Sequence, residues 1–387
     1  MILIKNADVY APMHLGKKDV LTEAGLIGFI EDSIDEKRFP VDIQVIDARG
    51  KYLFPGLIDS HVHITGGGGE GGFSTKTPEI LLKNIVQAGI TTLVGCLGTD
   101  GFSRSMENLL SKAYALEDQG ISTFIYSGSY QIPVLSLTGN YEKDIMFIQK
   151  ILGVGEVALA DHRSSQPDLQ SFINLAAGCR VAGILSGKAG IINVHVGDQK
   201  ECIDYLFAVC EKTQIPPSQF LPTHMNRSRK VFEQGIIWTE KGGSIDLTSS
   251  SGEKDEDMKL SCAKALKELL ERNVPIGSIT FSSDGQGSLP VFDEQKNFKG
   301  LSVGKVESLF EEVAKAVNLY NIPFETALKP VTENPATVLK LKDRGHIECA
   351  KRADIVIADR QFCIETLISG GKVMMLEKNM LVKGNFE

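Results

Sequence analysis

The sequence predicts an α/β protein in which a (β/α)8 TIM-like barrel is joined to a small β-sandwich. Three observations support this fold class. From about residue 55 to 345, short apolar strands such as TTLVGCLG and STFIYSG alternate with amphipathic helices, which indicates a parallel sheet covered by helices. Both ends of the chain contain only short β-like runs between turn residues. Polar residues of chemical interest follow several separate strands, which is typical of a barrel.

The domain boundaries follow from this change in pattern. Residues 1–54 and 346–387, with runs such as ILIKNADVY and ADIVIAD, are expected to pair into the sandwich domain, and residues 55–345 to form the barrel. The alternative is an open doubly wound sheet. We disfavour it because no GxGxxG motif follows an early strand.

The composition limits the partners of the chain. Its 387 residues can bury a large core, and a net charge of −8 without basic clusters disfavours nucleic acid or an anionic membrane and favours a small substrate. No apolar run reaches the roughly 18 residues of a membrane span, and no signal peptide is evident, so we expect a cytoplasmic location. The seven cysteines lack CxxC spacing, which argues against disulfides or a thiolate zinc site.

Histidines at strand ends form the candidate metal site. His61 and His63 are two residues apart and therefore face the same side of a strand, and imidazole is a common zinc ligand. Alone, this pair would equally suit two surface histidines. His195, His224 and Asp284 also stand at the carboxyl ends of apolar strands. Because active sites of barrels lie at that end, the five residues predict one metal site.

These motifs resemble the amidohydrolase superfamily, and within it the isoaspartyl dipeptidases. The resemblance rests on PGLIDSHVHITGGGGEGG, VGCLGTDG, SGSYQIP, DHRSSQPD, HVGD, LPTHMNR, GGSIDLTSS and SSDGQGS, which together span the predicted barrel. Dihydroorotases and hydantoinases share the metal ligands but not the GGGGE or THMNR segments. The resemblance implies hydrolysis of the isopeptide amide bond of β-aspartyl dipeptides. It also implies two divalent ions, with zinc as the first candidate, and a large homo-oligomer such as an octamer.

The resemblance implies a role for each ligand. His61 and His63 would bind the more buried metal, and His195 and His224 the other. Asp284 would complete the first metal's ligands and serve as the base for a metal-bridging hydroxide. Asp284 would take the proton of this hydroxide and pass it to the leaving amine.

Position 156 departs from the pattern of the family. Relatives carry there a lysine, carboxylated on its amine, that bridges the metals, whereas this chain has Glu156. A glutamate offers two anionic oxygens, but its carboxyl carbon falls short of a carbamate by on the order of 3 to 4 Å unless the strand moves inward. Gly153 and Gly155 would permit that approach. We expect Glu156 to bridge; the alternative is a site in which one metal is lost or weakened.

The resemblance also implies residues that bind a β-aspartyl peptide, which carries one ammonium and two carboxylates. Glu70 would pair with the ammonium. Arg163 and Arg227 would bind carboxylates, which guanidinium groups can do in a bidentate manner. Tyr130 would donate to the carbonyl oxygen as negative charge develops there. Further substrate contacts are implied for Gly68, Thr99 and Ser288.

Two other functions stay open from the sequence. One is a related amidohydrolase that acts on a cyclic amide or another acylated amino acid. Glu70 argues against it, because a cyclic amide has no free ammonium for this residue to bind. The other is a catalytically inactive homologue that serves as a scaffold. The complete set of four histidines with Asp284 argues against a scaffold, and Glu156 is the one feature in its favour.

Overall fold

A computed structural model describes residues 1–250, 260–292, 295 and 298–385. The strands in these residues are β1 (Ile2–Tyr10), β2 (His14–Glu23), β3 (Leu26–Glu31), β4 (Gln44–Asp47), β5 (Tyr52–Pro55), β6 (Leu57–Val62), β7 (Ile90–Gly95), β8 (Ser122–Ser127), β9 (Ile151–Leu159), β10 (Ile191–Val196), β11 (Phe220–Thr223), β12 (Ile245–Thr248), β13 (Ile279–Ser282), β14 (Ser288–Phe292), β15 (Phe298–Val303), β16 (Ile355–Ala358), β17 (Ile364–Ser369), β18 (Lys372–Leu376) and β19 (Asn379–Met380). The α-helices are α1 (Leu82–Gln87), α2 (Met106–Asp118), α3 (Tyr141–Phe147), α4 (Leu169–Ser186), α5 (Asp204–Lys212), α6 (Arg229–Glu240), α7 (Cys262–Glu271), α8 (Ser308–Asn318), α9 (Phe324–Leu328) and α10 (Glu333–Val338).

Strands from both ends of the chain form one nine-stranded sheet. Its order is β19-β18-β17-β16-β5-β1-β2-β3, with β4 paired to β1. The two ends meet where β16 runs antiparallel to β5, so that Ile355 lies opposite Pro55. Ile4, Val9 and Leu53 are buried in its core together with Ile355. Because of this junction, the end sheet contains strands that are separated in sequence by the whole α/β region between β5 and β16.

The middle of the chain forms a curled parallel sheet. Strands β6 to β11 follow one another in chain order, and β12 pairs with β13 in parallel. At the carboxyl ends, the Met225 amide donates to Asp246 O (3.1 Å), and the His63 amide donates to Gly285 O (2.9 Å). A helix follows each strand from β6 to β12. The predicted α/β class, with a parallel sheet and a separate sheet from the chain ends, is confirmed.

The local sequence accounts for these elements. Every residue of β6, β7, β9 and β10 is buried, as expected for parallel strands covered on both faces. Helix α2 begins after Ser105, whose hydroxyl accepts from the Asn108 amide, and α4 begins after Asp168, which caps it in the same way. Gly187 ends α4 at a φ of 70°, a left-handed conformation that glycine adopts without strain. Among the helices of the described ranges, none has the length and apolar character of a membrane span.

Candidate active site

The predicted metal ligands lie together at the carboxyl ends of the parallel strands, and all of them are buried. Apart from Asp284, their donor atoms fall into two overlapping groups, in each of which all atoms lie within 4.8 Å of one another. The first group contains His61, His63, Glu156 and the thiol of Cys96, and the second contains Glu156, His195 and His224. Glu156 belongs to both groups.

Glu156 reaches this position because β9 bulges towards the interior. The register between β9 and β10 shifts so that Gly155 and Glu156 together oppose Asn193. A bulge of this kind redirects a side chain. The close approach depends on glycine, since a Cβ at Gly155 would lie 2.8 Å from Asn193 Cβ, and one at Gly153 would overlap the backbone of β10. The register shift and the close packing at both glycines therefore accompany the position of Glu156 among the histidines.

The two carboxylate oxygens of Glu156 face different histidines. Oε1 lies 3.3 Å from His63 Nε2. Oε2 lies 3.0 Å from His195 Nδ1 and 3.7 Å from His224 Nε2. Asp284 Oδ1 approaches the first pair from the other side, 3.1 Å from His63 Nε2. Oε2 also lies 3.5 Å from His61 Nε2, so this oxygen is shared by the two groups of ligand atoms, whereas Oε1 approaches His63.

Two of the predicted ligands adopt an unusual backbone conformation. His224 and Asp284 have φ angles of 64° and 54°. Such values are uncommon for residues other than glycine and are held only where the surroundings enforce them. The Asp284 amide donates to His61 O at 3.1 Å, which ties this turn to β6.

The orientation of His61 prepares it to bind a cation. Its Nδ1 donates to Asn193 Oδ1 at 2.9 Å, which leaves Nε2 as the nitrogen that would bind a cation. Nε2 is buried and has no hydrogen-bond partner in the described part of the chain. An unsatisfied buried polar atom costs about 1–3 kcal/mol, and a cation bound to Nε2 would remove this cost. His224 is held in a similar way, with Nδ1 2.7 Å from Thr248 Oγ1.

The electrostatics of the cluster suit a cation site. Burial opposes charge on the His61 and His63 rings, but the facing Cys96 and the site carboxylates outweigh it and raise both pKa values well above the ordinary range. Burial likewise raises the pKa of Glu156, yet the surrounding histidines hold it well below its usual value. Burial and the nearby His195 lower the pKa of His224 to about 3, so that this ring is neutral and able to bind a metal.

Glu70 marks a polar pocket beside the cluster. Its carboxylate accepts hydrogen bonds from Ser288 Oγ at 3.0 Å, Thr99 Oγ1 at 3.2 Å and Arg163 Nη1 at 3.1 Å. Gly68 borders the same pocket, because a Cβ there would lie 3.3 Å from Ser288 Cβ. The structure therefore brings together five of the residues that the sequence predicted to contact substrate.

His195 connects this pocket to the metal ligands. The Tyr130 hydroxyl lies 2.9 Å from His195 Nδ1, and Arg227 Nη1 lies 3.4 Å from His195 Nε2. Asp161 Oδ2 lies 3.2 Å from the same Nε2, while Asp161 also binds the guanidinium of Arg163 at 3.0 and 2.9 Å. The pocket and the ligand cluster therefore form one continuous site.

The sequence model of the amidohydrolase family matches residues 52–374, which is most of the chain. The chain belongs to the amidohydrolase family. It is similar to a β-aspartyl dipeptidase from the keratin-degrading thermophile Fervidobacterium islandicum AW-1, solved in complex with β-Asp-Leu. The two chains are 46% identical with a TM-score of 0.95, and the match covers 100% of this chain and 98% of the other.

More distant relatives share less with this amidohydrolase. A deacetylase of Brucella anthropi is 23% identical over 392 residues, covering 97% of this chain and 86% of that protein. A D-hydantoinase structure has 17% identity and a TM-score of 0.70, with coverage of 99% and 97%. This last likeness concerns the fold alone.

Three residues of this amidohydrolase site were missed from the sequence. Asn193 could have been found, since it lies two residues before His195 and therefore faces the same side of β10. Asp161 begins the DHR segment, for which the sequence analysis predicted a role for Arg163 alone. Cys96 directly follows β7, but the seven cysteines, all of them free, were considered only for disulfides and CxxC spacing.

Proposed function

We propose that this amidohydrolase hydrolyses the isopeptide amide bond of β-aspartyl (isoaspartyl) dipeptides and releases aspartate and a second amino acid. The observation that carries the proposal is the position of Glu70, a buried carboxylate beside the cluster of metal-ligand residues. A substrate with a free ammonium near its reacting amide would pair with such a group. The identity of 46% to a β-aspartyl dipeptidase over the whole chain supports the same substrate class.

We propose two divalent ions, with zinc as the first candidate. His61, His63 and Asp284 would hold one ion and His195 and His224 the other. Glu156 would be shared between the two ions, in the place of a carboxylated lysine. Support comes from the unpartnered Nε2 of His61 and from the Glu156 carboxylate, which lies 3.0–3.7 Å from all four histidines. When bound, the ions would acidify a water molecule and polarise the amide carbonyl.

Asp284 is proposed to move the proton. Burial raises the pKa of its carboxyl, but His63 and the other rings lower it further, so the group is ionised and can accept a proton from the attacking water. It then passes this proton to the amide nitrogen, which cannot leave as an anion. Tyr130 is proposed to donate to the carbonyl oxygen. Burial keeps the pKa of Tyr130 well above its usual value, so the hydroxyl retains its proton.

The remaining pocket residues are proposed to hold the charged ends of the substrate. Glu70 would bind the ammonium, and Gly68, Thr99 and Ser288 would line that end of the pocket. Arg163 and Arg227 would bind the two carboxylates. Arg163 already donates to Asp161 and Glu70, so it also fixes the direction of the ammonium-binding group.

The finer architecture and the setting of the protein are also proposals. We propose that β6 to β13 close into a (β/α)8 barrel within residues 55–345, and that residues 1–54 and 346–387 form a sandwich domain. Support for closure comes from the hydrogen bonds between the ends of β13 and β6. A homo-oligomer, an octamer by resemblance, and a cytoplasmic location complete the proposal.

One assay tests the proposed activity. Purified protein is given β-Asp-Leu, with α-Asp-Leu as the control, and the metal content of the same sample is measured. We expect release of leucine from the β-linked peptide alone, with two ions per chain. Cleavage of hydantoin, dihydroorotate or an N-acetyl amino acid instead would favour the cyclic-amide or N-acyl alternative. Two bound ions without cleavage of any substrate would favour a scaffold.

A second measurement tests the bridge. Metal counting is repeated on Glu156→Ala, which is expected to lose or weaken at least one ion. If this variant retains two tightly held ions, Glu156 does not bridge.

A further inference from the structure

The thiol of Cys96 lies within the first group of ligand atoms. Its Sγ is 3.9 Å from His63 Nδ1 and 4.0 Å from His63 Nε2, and the side chain is fully buried. The Cys96 amide donates to Val62 O at 3.0 Å, which fixes the residue against the segment between His61 and His63. The chain beyond Cys96 also runs close to the cluster, since a Cβ at Gly98 would lie 2.7 Å from His63 Cε1.

A buried cysteine has an ordinary alternative role as a small apolar side chain. Cys96 does belong to a buried apolar cluster that includes Ile58, Val94 and Tyr126. Packing alone, however, would not require a thiol to lie among two imidazoles and a carboxylate whose donor atoms all fall within 4.8 Å. The one hydrogen bond that Sγ donates to a backbone oxygen, Val62 O at 3.7 Å, is long even for sulfur.

We propose that the thiolate of Cys96 is an additional ligand of the cation held by His61 and His63. This inference rests on the metal site of the proposed function. The thiol loses its proton to solvent when the cation binds, and the sulfur then donates an electron pair to the metal. Glu156 belongs to both groups of ligand atoms, whereas Cys96 would add a ligand to the first cation alone.

Charge and ligand type both follow from this assignment. Glu156 and Asp284 bring two negative charges to a site for two divalent ions, and a thiolate brings a third. Thiolate is also a soft ligand, which favours zinc or cobalt over magnesium or manganese at this position. The site of His61 and His63 is therefore expected to discriminate more strongly between these ions than the site of His195 and His224.

Cobalt substitution tests the proposal directly. Metal-free protein is reconstituted with Co²⁺, because a thiolate bound to this ion gives an intense charge-transfer absorption in the near ultraviolet. We expect the band in the wild type and its loss in both Cys96→Ser and Cys96→Ala. Competition with a chelator should show that these variants hold one of the two ions roughly tenfold or more weakly. Cys179→Ala removes another fully buried thiol, outside the site, and should keep the band.

The outcomes separate this proposal from the proposed function. Wild-type protein that cleaves β-Asp-Leu with two cobalt ions but without the band refutes the thiolate ligand and leaves the activity intact. A band that persists in Cys96→Ala refutes it as well. Wild-type protein that binds no cobalt and cleaves nothing refutes the proposed function together with this inference. If one Cys96 variant fails to fold, the wild-type spectrum and the other Cys96 variant still test the proposal.

Discussion

Gly155→Ala should disturb the bulge that positions Glu156. The added Cβ would lie 2.8 Å from Asn193 Cβ and 3.1 Å from Asn193 O. Carbon atoms prefer a separation of about 3.5–4.0 Å, so β9 and β10 must move apart by roughly 0.7–1.2 Å at this point. Overpacking of this kind costs about 1–3 kcal/mol of unfolding free energy. Because Asn193 also orients His61, we expect metal affinity to fall about 10- to 100-fold.

Two measurements check this prediction. Urea denaturation of the metal-free protein gives the change in unfolding free energy, and chelator competition gives the change in metal affinity. Gly277→Ala is the matched control, because a Cβ there meets no atom within 4 Å and its φ is not left-handed. The control should change neither quantity appreciably. If Gly155→Ala holds both ions as tightly as the wild type, the bulge is not what positions Glu156.

Three further changes probe the pocket and its surroundings. Asp284→Asn should lower kcat for β-Asp-Leu by about 10²–10⁴, and an unchanged kcat would contradict a proton shuttle. Glu70→Gln should raise KM for β-Asp-Leu. If the enzyme also cleaves N-acetyl-β-Asp-Leu, which has no ammonium, KM for that peptide should not change. An equal rise in KM for both peptides would mean that Glu70 does not bind the ammonium. Tyr130→Phe should lower kcat by about 10²–10³, and by the same factor at pH 6 and at pH 9. The reason is that burial keeps the pKa of Tyr130 well above 10, so its hydroxyl is protonated at both pH values. An effect confined to pH 6 would contradict this reasoning.

The stability that Asp100 contributes to the fold should depend on pH. Burial raises the pKa of Asp100, but hydrogen bonds from Ser103 and the nearby Lys76 lower it to about 2. A depressed carboxyl pKa stabilises the fold above the unfolded pKa of about 3.9, and this contribution is lost as the pH falls towards 2. The Tm of Asp100→Asn should therefore lie below that of the wild type at pH 5, with a difference that shrinks as the pH approaches 2. A constant difference would refute the assignment.

The features that the sequence predicted correctly are those encoded locally. Strand-helix alternation gave the fold class, and a histidine at the end of an apolar strand, such as His195 or His224, can be recognised within a few residues. The pocket around Glu70 was accessible through motifs that resemble those of a family. Each of these signals is contained in a short segment.

The features that escaped prediction depend on contacts between distant segments. The bulge at Gly155 depends on the register between β9 and β10, in which two residues of β9 lie opposite Asn193. The sequence of β9 alone does not specify this register. The left-handed backbone of Asp284 depends on its bond to His61, more than 200 residues earlier in the printed sequence. The hairpin of β14 and β15 between β13 and α8 was not predicted, although Ser288 begins it.

The end sheet has a consequence for synthesis of the protein on the ribosome. Strands β6 to β11 pair in chain order, so their partners emerge one after another. In contrast, β5 pairs with β16, which is made only after the whole α/β region between them. Until then one edge of β5 has no partner, and an uncovered edge invites association between chains. We expect nascent chains truncated before residue 355 to aggregate or bind chaperones, which ribosome-bound truncation series would measure.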